Sequence, residues 1–207
     1  MRNSFLIVLL LFFIASCHSQ TGKNNIDQEA VELNNEAQEL VINAGSSKDS
    51  ILDAIELYNK AIQIQPDYYA AYWNKYTALD KLGKNKDGLK TLMDLEKAGV
   101  KNPLKEAYLK SIIGVLIERQ GDSINAQKKY KQADSIYRKV LDTLSKNNPD
   151  YWLRQGQRAL NLQLLNNSQE VDILLSKMKA EITDSDLVHK AMIQDIATRT
   201  RKEILNR

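Results

Sequence analysis

Ala54, Tyr58 and Ala61 are four and three residues apart, and Ala126, Tyr130 and Ala133 repeat that spacing further along the chain. Residues three and four apart share one face of a helix, so each triple sets a large ring between two small side chains. A unit that recurs this way cannot bury its apolar face alone and has to stack on its own copies. In LDAIELYNKAIQIQPDYYAAYW the first triple continues through Ile62, and Pro66 ends the helix. The next stretch, AAYWNKYTALDKLGK, places Tyr72, Leu79 and Leu82 on one face and closes at the turn-forming Gly83. A third unit has the apolar run Ile112 to Ile117, a Gly121-Asp122 turn, and a helix bearing the second triple that is expected to reach about Ser145. A fourth has Trp152, Gly156 and Ala159, an Asn-Asn-Ser turn at 166–168, and Val171 to Met178 behind it. Ahead of them all, Leu33, Ala37 and Leu40 pair across a loop at 45–50 with the helix of the first triple. Only 8 Gly and 3 Pro occur in 207 residues, which leaves the helices uninterrupted.

These units resemble the tetratricopeptide repeat (TPR) family, in which pairs of helices stack into a solenoid. The resemblance implies an all-α, TPR-like α-solenoid of about four helix-turn-helix repeats over residues 27–182, followed by a C-terminal capping helix within 183–207. Thr183-Asp-Ser-Asp186 supplies the start of that helix, expected to run from about Leu187 to Arg207. Two departures from the family pattern compensate: Tyr76 stands where Gly or Ala is usual, and Gly88 where Ala is usual on the facing helix. Gly99 and Pro103 break the chain before the third unit.

The first twenty residues, MRNSFLIVLLLFFIASCHSQ, form a separate segment. Arg2 precedes an apolar run from Phe5 to Ala15, too short for a bilayer-spanning helix of about 20 residues but suited to a signal peptide. Ile14-Ala15-Ser16-Cys17 resembles a bacterial lipobox, and Cys17 is the single cysteine of the chain. That resemblance implies a signal peptide at 1–16, removed on maturation, and a lipidated Cys17 opening a flexible tether at 17–26. The alternative is an ordinary secretory signal cut nearby, for example after Ser19. Several acyl chains, at about 0.8 kcal/mol per buried methylene, hold a protein stably on a membrane. No Asp follows Cys17, which by the same resemblance implies the bacterial envelope, at the outer membrane facing the periplasm.

The chain carries few aromatics, 7%, yet DYYAAYWNKY at 67–76 packs five rings together. Helical spacing puts Tyr72 and Tyr76 on the packed face and Trp73 on a second arc, which lines the inner groove in the TPR family. Carried to the other first helices, that arc comprises Asn34, Gln38, Trp73, Thr77, Asp80, Lys81, Ser111, Val115, Glu118, Arg119, Gln157 and Asn161. Some family members clamp a terminal carboxylate with Lys, Arg and Asn, but Asn34, Asn74 and Lys75 are too scattered here for that mode. No phosphate loop, nucleophile elbow or His-Glu-x-x-His is present, and the two histidines lie far apart, so neither catalysis, a metal site nor a cofactor is expected. Glu118, Asp134 and Asp142 read as isolated acids on solvated faces. A net charge of +3 with interleaved signs does not suit a nucleic-acid binder. The expectation is a non-catalytic adaptor for a protein or peptide partner, tethered to the membrane. The alternatives are an immunity or inhibitor protein capturing a toxin or enzyme in the periplasm, and a receptor for a small ligand or peptide.

Overall fold

The computed structural model describes residues 26–45, 47–183 and 186–206. The leader, Cys17 and all of the tether except Ile26 lie outside the described residues, as do Asp184 and Ser185. Among the described residues all regular structure is helical: α1 (Gln28–Asn43), α2 (Lys48–Ile64), α3 (Tyr69–Lys81), α4 (Asn85–Ala98), α5 (Pro103–Arg119), α6 (Ser123–Leu141), α7 (Tyr151–Leu164), α8 (Ser168–Glu181), α9 (Leu187–Thr198) and α10 (Arg201–Leu205). None of them is long and apolar enough to cross a membrane. Each helix from α1 to α8 packs on the next, and among the first helices α1 also meets α3 and α5 meets α7. This is an all-α helical solenoid.

Local chemistry sets the boundaries. Asp27 Oδ1 accepts from the Glu29 amide at 2.9 Å, and Asn102 Oδ1 accepts from Leu104 and Lys105 with Pro103 as the first helical residue. Asp122, Asn167 and Asp186 cap α6, α8 and α9 in the same way. Gln65, held extended by Pro66, closes α2. Glycines at Gly83 and Gly121 turn the chain with φ of 69° and 92°.

The repeated triples are core. Ala54, Ala61, Ala126, Ala133 and Tyr130 are fully buried and Tyr58 nearly so. The exchange of volumes expected between Tyr76 and Gly88 is present, since a Cβ on Gly88 would stand 3.2 Å from Tyr76 Cδ2. Gly114 accommodates the Tyr130 ring still more closely.

Three expected boundaries move. The loop expected at 45–50 is shorter, because α2 starts at Lys48 behind the cap of Ser47. α6 ends at Leu141 instead of continuing to about Ser145, and a turn follows in which Leu144 donates to Val140 at 3.0 Å. The terminal helix is two helices, not one. Arg199 is extended (φ −84°, ψ 128°), and Thr200 restarts the helix through a capping box with Glu203. α9 covers most of the last repeat: Met192, Ile193 and Ile196 pack with Ala159, Leu162, Leu174, Leu175 and Met178, and a Cβ at Gly156 would meet Met192 Sδ at 2.6 Å.

Candidate functional site

The face made by α1, α3, α5 and α7 does not carry the expected groove residues as one continuous floor. Asn34, Ser111, Val115 and Asn161 are buried instead. Polar residues of that arc bond to neighbouring helices. Asn74 Nδ2 donates to Asn34 Oδ1 at 3.0 Å, joining α3 to α1. The Ser111 hydroxyl donates to Asn161 Oδ1 at 2.8 Å, while Asn161 Nδ2 donates to the Tyr130 carbonyl at 2.9 Å, joining α5, α7 and α6. Asn34 and Asn74 are therefore not scattered; they meet, and they engage each other.

Gln38, Asp80 and Lys81 remain exposed. Thr77 is half-buried, its hydroxyl returned to the Trp73 carbonyl at 3.0 Å. Gln157 is half-buried and accepts from Arg154 Nη1 at 3.0 Å.

Trp73 lies at the centre of an aromatic group. Its ring stacks on Tyr69 at 6.0 Å with a 4° interplanar angle, meets Tyr76 edge-on at 5.5 Å, and meets Tyr108 of α5 at 5.3 Å. Lys105 Nζ stands 5.1 Å over the Tyr69 ring, a cation–π contact. All four rings are half-buried, whereas Tyr72 is buried in the core beside them. Tyr76, expected in the core with Tyr72, thus sits at its edge. Burial pushes the Tyr76 and Tyr108 hydroxyls up to about 12, so both are neutral donors. Arg154 of α7, only 9% exposed, places a positive charge near Tyr69 and Tyr108 that works against that rise.

Tyr69, Asn74 and Tyr108 were missing from the arc read in the sequence. Tyr69 stands one turn before Trp73, and Tyr108 one turn before Ser111, so extending the arc by a turn recovers both rings. Trp152 of the fourth unit is half-buried and lies edge-on to Tyr151 at 4.8 Å.

The far end of the face is covered by the chain itself. α10 lies against α5 and α7. Ile204 and Leu205 join Val115, Ile117, Leu164 and Leu165 in one apolar cluster. Arg201 Nη2 donates to Glu118 Oε1, and the Tyr130 hydroxyl donates to Glu118 Oε2 at 2.9 Å. Arg119 Nε donates to the Leu205 carbonyl at 2.6 Å. Glu118 is consequently not an isolated solvated acid. Neither is Asp134, which is buried and paired with Arg138 at 2.7 Å and Arg158 at 3.1 Å. Asp142 is exposed.

No family model matches the chain, and no curated protein matches it.

Proposed function

We propose that this chain is a TPR-like lipoprotein of the bacterial envelope, anchored through Cys17 at the outer membrane and facing the periplasm. In this reading it is a non-catalytic adaptor that binds a protein or peptide partner on its first-helix face beside Trp73. The observation that carries the reading is the ledge of Tyr69, Trp73, Tyr76 and Tyr108, four half-buried rings braced against one another. Rings held rigidly and left partly uncovered offer large contact area at little entropic cost, and Trp and Tyr dominate binding energy at protein interfaces. Exposed Asp80 and Lys81 at the end of the same helix supply polar groups of both signs for a rim. The Ile14-Ala-Ser-Cys17 ending of the apolar run supports the anchor.

A photo-crosslinking residue at exposed Lys81 tests the reading in cells. A discrete crosslinked partner that is lost in Trp73→Ala, with helicity and cooperative melting retained, supports it. The same adduct from both proteins would place the partner elsewhere. For the anchor, the full chain and Cys17→Ser are expressed in a Gram-negative host and fractionated. Wild type in the membrane fraction with Cys17→Ser released is the expected outcome, and identical partitioning of the two overturns it.

A further inference from the structure

We propose that the C-terminal ends of α5 and α7 form a docking groove for one helical turn of stated pattern. The pattern is a basic residue followed three and four positions later by aliphatic residues. Residues 200–206 of this chain are its resident occupant. The proposal deepens the adaptor reading and rests on it only for the identity of the face; the groove is tested by itself.

The groove has three parts, each with a different demand. Val115, Ile117, Leu164 and Leu165 make an apolar floor, filled by Ile204 and Leu205. Glu118, whose side chain is only 9% exposed, accepts from Tyr130 on one oxygen and from Arg201 on the other. With α10 seated the acid is enclosed together with its cation, so an occupant that covers Glu118 without a basic side chain would bury it unpaired on that oxygen. Arg119 donates to the Leu205 carbonyl at 2.6 Å and reaches the Ile204 carbonyl at 3.5 Å. It thereby reads the backbone at the end of a helical turn, where carbonyls have no partner within the helix. Arg201 adds a bond from its Nε to the Leu164 carbonyl at 3.0 Å, which fixes where the basic residue must stand.

Three features mark the occupant as replaceable. α10 contains no buried residue, although it covers buried ones. Its turn is formed by its own capping box: Glu203 donates its amide to Thr200 Oγ1 at 3.3 Å, and Thr200 donates its amide to Glu203 Oε2 at 2.7 Å. The apolar end of the solenoid is already closed by α9, to which α10 is joined only through the extended Arg199 and the capping Thr200. A partner with the same pattern would therefore compete with the segment while the face covered by α9 stays closed.

The probe is a fluorescent synthetic peptide of residues 199–207, followed by anisotropy against three proteins: the wild type, the full chain with Ile204→Asp and Leu205→Asp, and a chain ending at Arg199. Both opened proteins should bind saturably. The wild type should bind at least about tenfold more weakly, because a tethered segment competes at an effective concentration in the millimolar range. Glu118→Gln in the opened protein, and Arg201→Glu in the peptide, should each weaken binding about tenfold or more, while Asp142→Asn at an exposed position should leave it unchanged. Hydrogen exchange on the wild type gives an independent reading, with amides of 203–206 exchanging faster than those of α9. Absence of saturable binding to opened protein that keeps wild-type helicity overturns the proposal, as does equal affinity for wild type and opened protein. Exchange at 203–206 as slow as in α7 would make the segment a fixed part of the fold, whatever the peptide does. A Trp73-dependent partner that persists after any of these failures would leave the adaptor reading standing.

Discussion

A Cβ added to Gly114 would lie 2.5 Å from Cε1 of Tyr130, a ring with no exposure and its hydroxyl tied to Glu118. Gly114→Ala should destabilise the protein by about 2 kcal/mol, read as a lower denaturation midpoint, because the ring cannot yield. Gly88→Ala meets a half-buried ring at 3.2 Å that can move outward. There the gain of about 1 kcal/mol for alanine over glycine in a helix should offset the crowding and leave the midpoint nearly unchanged. Trp73 shares its contacts with three tyrosines at the surface of the same region. Trp73→Ala should accordingly cost about 1–2 kcal/mol, less than the usual 3–5 for a fully enclosed aromatic, while removing the centre of the ledge. The Tyr76 and Gly88 pairing was legible in the sequence because both residues depart from one repeat pattern in opposite senses. The long-range pairings of Glu118 and Asp134 were not. Their partners Arg201 and Arg158 stand 83 and 24 residues away, and sequence periodicity carries no information about which distant cation turns inward.

At the level of elements, the two terminal helices should separate in their effects. α9 covers Ala159, Leu162, Leu174 and Met178, so a chain ending at Ile182 exposes an apolar face and should melt lower or aggregate. A chain ending at Arg199 keeps that cover and should lose much less, with calorimetry of both truncations against the full chain as the measurement. Equal losses would mean that α10 holds the fold as firmly as α9 does. The single helix expected over 187–207 failed at a readable place, since Thr200-Arg-Lys-Glu203 is a capping-box sequence inside an apparently continuous helical stretch. Helix faces were well marked by apolar spacing. Which polar residues of the first helices would face a groove and which a neighbouring helix was not, because both surfaces occupy one arc and only packing distinguishes them.

For the whole molecule, acidic side chains bind consecutive repeats together. Glu96 of α4 receives Lys110 of α5 at 2.8 Å and Lys129 of α6 at 2.6 Å. Burial alone would raise the Glu96 carboxyl, but the hydrogen bonds and charges of the two lysines outweigh it and hold it below its ordinary value of 4.5. A depressed folded-state value means that the stabilisation is complete above the unfolded-state value and is lost as pH falls through the folded one. The melting temperature of the wild type should thus fall towards that of Glu96→Gln as pH drops below 4.5, with a gap at neutral pH of about 1 kcal/mol for this partly exposed network. Constant separation down to strongly acidic pH would refute the assignment. The bond from Arg119 to the Leu205 carbonyl spans 86 residues in a chain whose other packing is mainly between neighbours. Under tension this makes the two halves unequal. Load applied at the N-terminus should peel α1 to α4 away in small successive steps, helix pair by helix pair. At the other end the ring that Arg119 and α10 close gives way early under the same load, because no residue of that segment is buried to hold it. A molecule held at one end and pulled at the other would carry its own shock absorber in its first half and a weak latch in its second.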